Sequence, residues 1–155
     1  MASKLSLVFW QSPYWVSSFT AGSRRLFSLV RSDHSICMLK VTNTTRGNTV
    51  GDSIELADTS FKRMFGLLGR RGLGAGGGLW IKPSSGVHTF GMAFTIDVVG
   101  LDRDLKVVKL WRRLVPFRLT SVSLKIRSVL ELPSGAISQS QIQVGDQLEI
   151  SPAAQ

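Results

Sequence analysis

Between residues 53 and 69 the spacing of apolar positions changes its period. Ile54 and Leu56 alternate with Glu55, the twofold rhythm of a half-buried strand. Further on, Phe61, Met64, Phe65 and Leu68 fall at i, i+3, i+4 and i+7, the stripe of an amphipathic helix. Asp58, Thr59 or Ser60 can cap it, and Asp58 at its start with Arg70 and Arg71 at its end suits the helix dipole. After this helix the pattern predicts strands at Leu79–Ile81, Val87–Met92, Thr95–Leu101, Leu105–Trp111, Ser128–Leu132 and Gln147–Ser151. Turn residues separate them at Pro83–Gly86, Asp102–Asp104, Pro133–Gly135 and Val144–Asp146. The expected class is α+β: a mostly antiparallel curved sheet or small β-barrel with one short helix.

The glycine-rich stretch from Gly66 to Gly78 sits between that helix and a strand. A phosphate-binding loop needs the opposite order, because the phosphate rests on the first turn of the helix that follows the loop. The glycines therefore read as a helix stop and a flexible connection.

Residues Met1–Cys37 hold neither period. They carry Trp10, Tyr14, Trp15 and several phenylalanines among serines, with four basic residues and one acidic one. Gln11, Ser12 and Pro13 interrupt the apolar run that a secretory signal requires. The segment reads as a leader or as an upstream extension ahead of a true start at Met38, and residues 38–155 as a single globular domain. A cytoplasmic location is expected, with secretion or membrane-surface association through residues 1–37 left open. No run approaches the roughly twenty apolar residues of a membrane-spanning helix.

Composition changes this picture in two ways. The 155 residues include 19 basic and 10 acidic side chains, a net charge of +9 that favours anionic partners. The single cysteine, Cys37, excludes an intrachain disulfide or a thiolate zinc site. With only His34 and His88 as histidines, no metal site is expected, and no motif calls for a cofactor.

Candidate chemistry concentrates in "SSGVHTFGMAFTIDVVGLD", Ser84 to Asp102. As a strand, this segment puts His88, Phe90 and Met92 on one face, where they could line a pocket that holds an apolar body and fixes one polar group, or simply pack as core. Asp97 lies among Ile96, Val98 and Val99, so it is either a structural tie to backbone N–H groups or a functional carboxylate. With Glu131 of "VLELP" it could form the carboxyl pair of a hydrolase. In "KLWRRLVPFRLTSVSLKIR", Lys109 to Arg127, arginines interleave with Trp111 and Phe117. This reads as a solvated loop whose aromatics dip into the core, or as a surface for single-stranded nucleic acid.

The segments "ELADTSFKRMFGLLGRRGLGAGGGLWI", "HTFGMAFTIDVVGLD", "VVKLWRRLVPFR", "SVLELPSG" and "GDQLEIS" resemble, in order and spacing, the bacterial and archaeal domain of unknown function 192 family. The resemblance covers about Met38 to Ser151. It matches Arg63, Gly66 and Leu67 in the helix, Phe90, Met92 and Asp97 in the central motif, and Leu130, Glu131 and Gly135 later. Gly91 fills the place of an aromatic residue that commonly precedes the methionine. The resemblance implies a β-rich domain with a short helix and brings no established activity. The expected function is a small-molecule binding module for a carbohydrate-like or anionic ligand, with Phe90 as an apolar platform, His88, Asp97 and Arg63 orienting, and Met92 and Glu131 beside them. Two other readings stand next to it: a hydrolase using Asp97, Glu131 or His88 as acid and base, and a basic adaptor for nucleic acid or an anionic membrane surface.

Overall fold

The alternation at Ile54 and Leu56 belongs to a longer strand than the pattern alone marks out. In the computed structural model, which describes residues 38–59, 62 and 66–154, strand β1 (Leu39–Asn43) turns at Asn43–Gly47 into β2 (Asn48–Ala57). Gly47 N–H donates to Asn43 O at 2.8 Å, closing the hairpin. Then follow β3 (Gly77–Ile81), β4 (Ile96–Leu101), β5 (Val107–Leu114), β6 (Ser128–Pro133), the one-turn helix α1 (Ala136–Gln139) and β7 (Leu148–Pro152). They make one seven-stranded curved sheet in the order β5-β4-β6-β3-β2-β1-β7. The β2–β3 pair is parallel and every other pair antiparallel. The sheet curls until its two edge strands approach, where a bridge joins Lys106 to Gln147 and Leu148 N–H donates to Leu105 O at 3.1 Å. Near-closure of this kind leaves little free edge for another chain to pair with.

Both faces of the sheet are apolar. One packs Val41, Ile54, Val99, Leu101, Leu130 and Leu132 beneath Ile137 of α1 and Ile142. The other packs Leu79, Ile81, Ile96, Val98 and Val129 beneath Leu67, Val87, Met92 and Ile126. The central strands β4 and β6 are therefore covered on both sides, which is why "TIDVVGL" and "SVLEL" read as nearly continuous apolar runs.

Three local expectations change. Val87–Met92 is not a strand: His88 alone bridges to Leu119, and Gly91 at φ 77° turns the chain so that Met92 N–H reaches back to Thr89 O at 3.3 Å. The glycine run is not merely a flexible connection, because it enters β3 at Gly77 and Gly76 O accepts from Asp52 and Ser53 N–H, both at 3.1 Å. A side chain at Gly78 would place its Cβ 2.6 Å from Glu131 O, so only glycine lets β3 lie this close. Lastly, the expected turn at Pro133–Gly135 runs on, after Gly135 at φ 94°, into α1, a helix that the sequence pattern does not predict. Most of the helix expected after Asp58 (residues 60, 61 and 63–65) lies outside the described residues. At its ends, Thr59 Oγ1 accepts from Lys62 N–H at 3.2 Å, as an N-cap would, and Gly66 N–H donates to Lys62 O at 2.7 Å.

Candidate functional site

Glu131 lies on β6, the third strand from the β5 edge of the sheet, between Leu79 of β3 and Val98 of β4. Alternation turns its side chain to the face of Val129 and Val98, away from Leu130 and Leu132. It is 3% exposed and, among the described residues, has no salt-bridge or hydrogen-bond partner for its carboxyl. Burial pushes that carboxyl up to about 8, since the apolar surroundings penalise the charged form and nothing there compensates it. At neutral pH it is chiefly a neutral acid, able to donate one hydrogen bond and accept others.

Above Glu131 opens a cavity of about 360 Å³, within the range of small-molecule sites. One wall is Gly66–Leu68, held where Arg70 makes a two-pronged ion pair with Glu55 of β2 at 2.7 and 2.8 Å. The pairing also holds the Glu55 carboxyl below its ordinary range. The second wall is the segment leaving β3, from Pro83 to His88 with Phe90 and Met92, and the third is Leu119, Thr120 and Val122. The last two walls are laced together by threonines. Thr120 Oγ1 accepts from Val87 N–H at 2.8 Å and Thr120 N–H donates to Val87 O at 2.9 Å. Thr89 N–H donates to Arg118 O at 2.8 Å, while its hydroxyl donates to Val115 O at 2.8 Å and accepts from Arg118 N–H at 2.9 Å. Two hydroxyls thus satisfy loop backbone that would otherwise be buried without partners.

Four sequence candidates meet in this cavity: His88, Phe90, Met92 and Glu131. They do so by a route other than the one expected, for without a strand the first three do not share a face. Met92 is buried at 6% exposure, whereas Phe90 is 52% exposed at the mouth, its ring centroid 6.0 Å from that of His88. Asp97 does not line the cavity. Its Oδ1 accepts from Arg113 N–H at 2.8 Å, and its Oδ2 from Gly135 and Ile137 N–H, both at 3.0 Å. It fills the bulge at Arg112–Arg113 and ties down the start of α1, all three donors being backbone N–H groups. Because Asp97 pairs with Leu132 and Glu131 with Val98, the two acids face opposite sides of the sheet and form no carboxyl pair. Arg63 lies outside the described residues. No group of three His, Cys, Asp or Glu side chains is placed to hold a metal among the described residues.

Sequence reasoning missed the Ser84–Gly86 and Leu119–Val122 walls. Trp111 does pack partly against the core, with Lys109 Nζ 5.1 Å from its ring, but Phe117 is 69% exposed. No signal along the chain marked those two walls: Thr89 and Thr120, which lace them, each have one polar and one apolar neighbour, and their burial comes from partners about thirty residues away.

The chain is similar to UPF0127 proteins of two archaea. It is 30% identical to one from Thermococcus sibiricus, over 69% of this chain and 71% of that one. It is 32% identical to one from Pyrococcus furiosus, over 69% and 94% respectively. Among solved structures, a protein of unknown function from Novosphingobium aromaticivorans superposes with a TM-score of 0.62 at 25% identity, over 72% of this chain and 82% of that one. No described helix is long and apolar enough to cross a membrane. Residues 41–150 match the model of the DUF192 family, described as uncharacterized ACR, and the chain belongs to that family.

Proposed function

We propose that the chain binds a small, uncharged molecule in the cavity over Glu131. The observation that carries this reading is a carboxyl at 3% exposure, without a partner among the described residues, forming part of the lining of a cavity otherwise walled largely by Leu67, Ile81, Val87 and Met92. A buried polar group left unpaired costs stability, and a cost of that kind is commonly retained where function requires it. The ligand class follows from the charge state. An acid held neutral offers a hydrogen bond to a hydroxyl or carbonyl, whereas an anion close by would push its ionisation still higher and meets no lysine or arginine among the described lining residues. Of the two expected classes, a hydroxylated carbohydrate-like ring fits better than an anion, with the exposed Phe90 ring as its platform.

The test is a thermal-shift screen of neutral hydroxylated and carbonyl compounds beside their anionic analogues, repeated on Glu131→Leu and Phe90→Ala. A ligand should raise the melting temperature of the parent. Its affinity should fall by about tenfold or more in each variant, and should weaken as pH rises through about 8 and Glu131 loses its proton. Binding equal in parent and both variants would place the ligand elsewhere.

A further inference from the structure

Large exposed apolar side chains gather in one part of the fold. Among the described residues, six of the eight lie around the cavity mouth and the loop beside it: Phe90, Val115, Phe117, Leu119, Val122 and Leu124, with Leu124 87% exposed. The loop has its polarity turned inside out, for Thr89 and Thr120 are buried at 0% and 4% while their apolar neighbours face outward. The hydrogen bonds of those threonines, together with Phe117 N–H to Thr89 O at 3.0 Å and Ser123 N–H to Ser85 O at 3.2 Å, hold the loop in that orientation. Phe117 is kept at φ 60°, a left-handed conformation that a bulky side chain rarely takes. Strain of this kind, spent on holding a ring in the open, points to a partner surface.

The charge around the patch identifies that partner. From Leu105 to Leu130 the chain carries seven basic residues and no acidic one. Arg113, Arg118, Lys125 and Arg127 are exposed, and none of them takes part in the salt bridges found among the described residues. A second copy docked through the same patch would bring two cationic rims together, which opposes association. Nucleic acid would use the arginines and one ring, but it has no use for Leu119, Val122 and Leu124. An anionic lipid surface uses both sets, apolar side chains at the headgroup–acyl boundary and cations on the phosphates. We propose that residues 113–127 form a docking loop for an anionic bilayer surface, with Phe117, Leu119, Val122 and Leu124 entering the interface. The proposal is independent of the cavity's ligand.

The experiment is co-sedimentation of the full chain with vesicles of phosphatidylcholine plus phosphatidylglycerol, against phosphatidylcholine alone. Two double variants accompany the parent: Phe117→Asn with Leu124→Ser, and Arg118→Gln with Lys125→Gln. All four side chains are exposed and asparagine accepts the left-handed conformation, so melting temperatures should match the parent. The parent should pellet with the anionic vesicles and not the neutral ones, and each double variant should lose about tenfold or more in partition coefficient. Failure of the parent to pellet would overturn the proposal, and so would parent-like binding by both variants, which would assign membrane affinity to another part of the chain. Capture of a single-stranded oligonucleotide that only the Arg/Lys variant loses would make this a nucleic-acid face instead. Concentration-dependent dimers lost in the Phe/Leu variant, without vesicle binding, would make it a self-contact.

Discussion

Glu131 and Asp146 are equally screened from solvent, at 3% and 4% exposure, but Glu131 lies deep in the packed sheet and Asp146 at a shallow corner, and the fold treats them in opposite ways. Asp146 stands at the corner where the β1–β2 turn meets the start of β7. Its Oδ2 accepts from Arg46 Nε at 2.6 Å, Asn43 Nδ2 at 2.8 Å and Gln143 N–H at 2.9 Å, and its Oδ1 accepts from Arg46 at 3.2 Å. Those bonds, Arg46 foremost, hold its carboxyl down to about 2. Glu131 has no such bond among the described residues, and burial raises it to about 8. Asp97 sides with Asp146, since three backbone N–H groups saturate it. Exposure alone therefore does not separate a structural acid from a poised one; depth and the supply of donors together do.

The sharpest way to break this comparison is to titrate stability. Glu131 has a folded value above its ordinary 4.5, so the folded state holds the proton longer than the unfolded chain does. Its contribution is intact below about pH 4.5 and is lost as pH rises towards about 8, at up to about 1.4 kcal/mol per pH unit and a few kcal/mol in all. Glu131→Gln should abolish that slope and melt above the parent at pH 8, while Asp146→Asn should leave the slope in place. Denaturant melts of the three proteins across this range measure it, and a flat parent curve would show that Glu131 is already satisfied.

Next in size, Asp97→Ala should cost about 3 kcal/mol, because it strands three backbone donors at the bulge and at the start of α1. Glu131→Ala, by contrast, removes no bond, so the loss there reflects packing alone. Chemical denaturation compares the two directly. Asp146→Asn is expected to cost about 2 kcal/mol near neutral pH through its weakened bonds to Arg46 and Asn43. The smallest effect lies in acid: with Asp146 held below its ordinary 3.8, its stabilisation is present above that pH and fades as pH falls towards about 2. The parent should show this extra acid sensitivity and Asp146→Asn should not.

Much of the architecture was legible along the chain. The strands expected at 79–81, 95–101, 105–111, 128–132 and 147–151 form at 77–81, 96–101, 107–114, 128–133 and 148–152, and the curved α+β class follows with them. The first hairpin was less legible, since no strand is predicted at β1, which nevertheless pairs with β2 from Asn43 back to Leu39 opposite Ile54. Four of the six candidate site residues do line the cavity, yet the strand argument that grouped His88, Phe90 and Met92 does not describe how they meet. Gly91 breaks the alternation, and the cavity forms because two loops are laced across each other by bonds between residues about thirty positions apart.

By itself the sequence determined what is local: where the backbone alternates, where it must turn, which positions are too apolar to face water, and that an acid interrupts two of those apolar runs. Period, φ preference and hydrophobicity act over a few residues, so they survive in a one-dimensional reading. Only the tertiary structure decided what those acids are. Asp97 meets the N–H groups of Gly135 and Ile137, and Glu131 is walled by Leu79 and Val98 from neighbouring strands with no donor in reach among the described residues. Desolvation and hydrogen bonding are sums over whatever the fold brings near, and their balance makes one carboxyl a structural tie and the other the floor of a cavity.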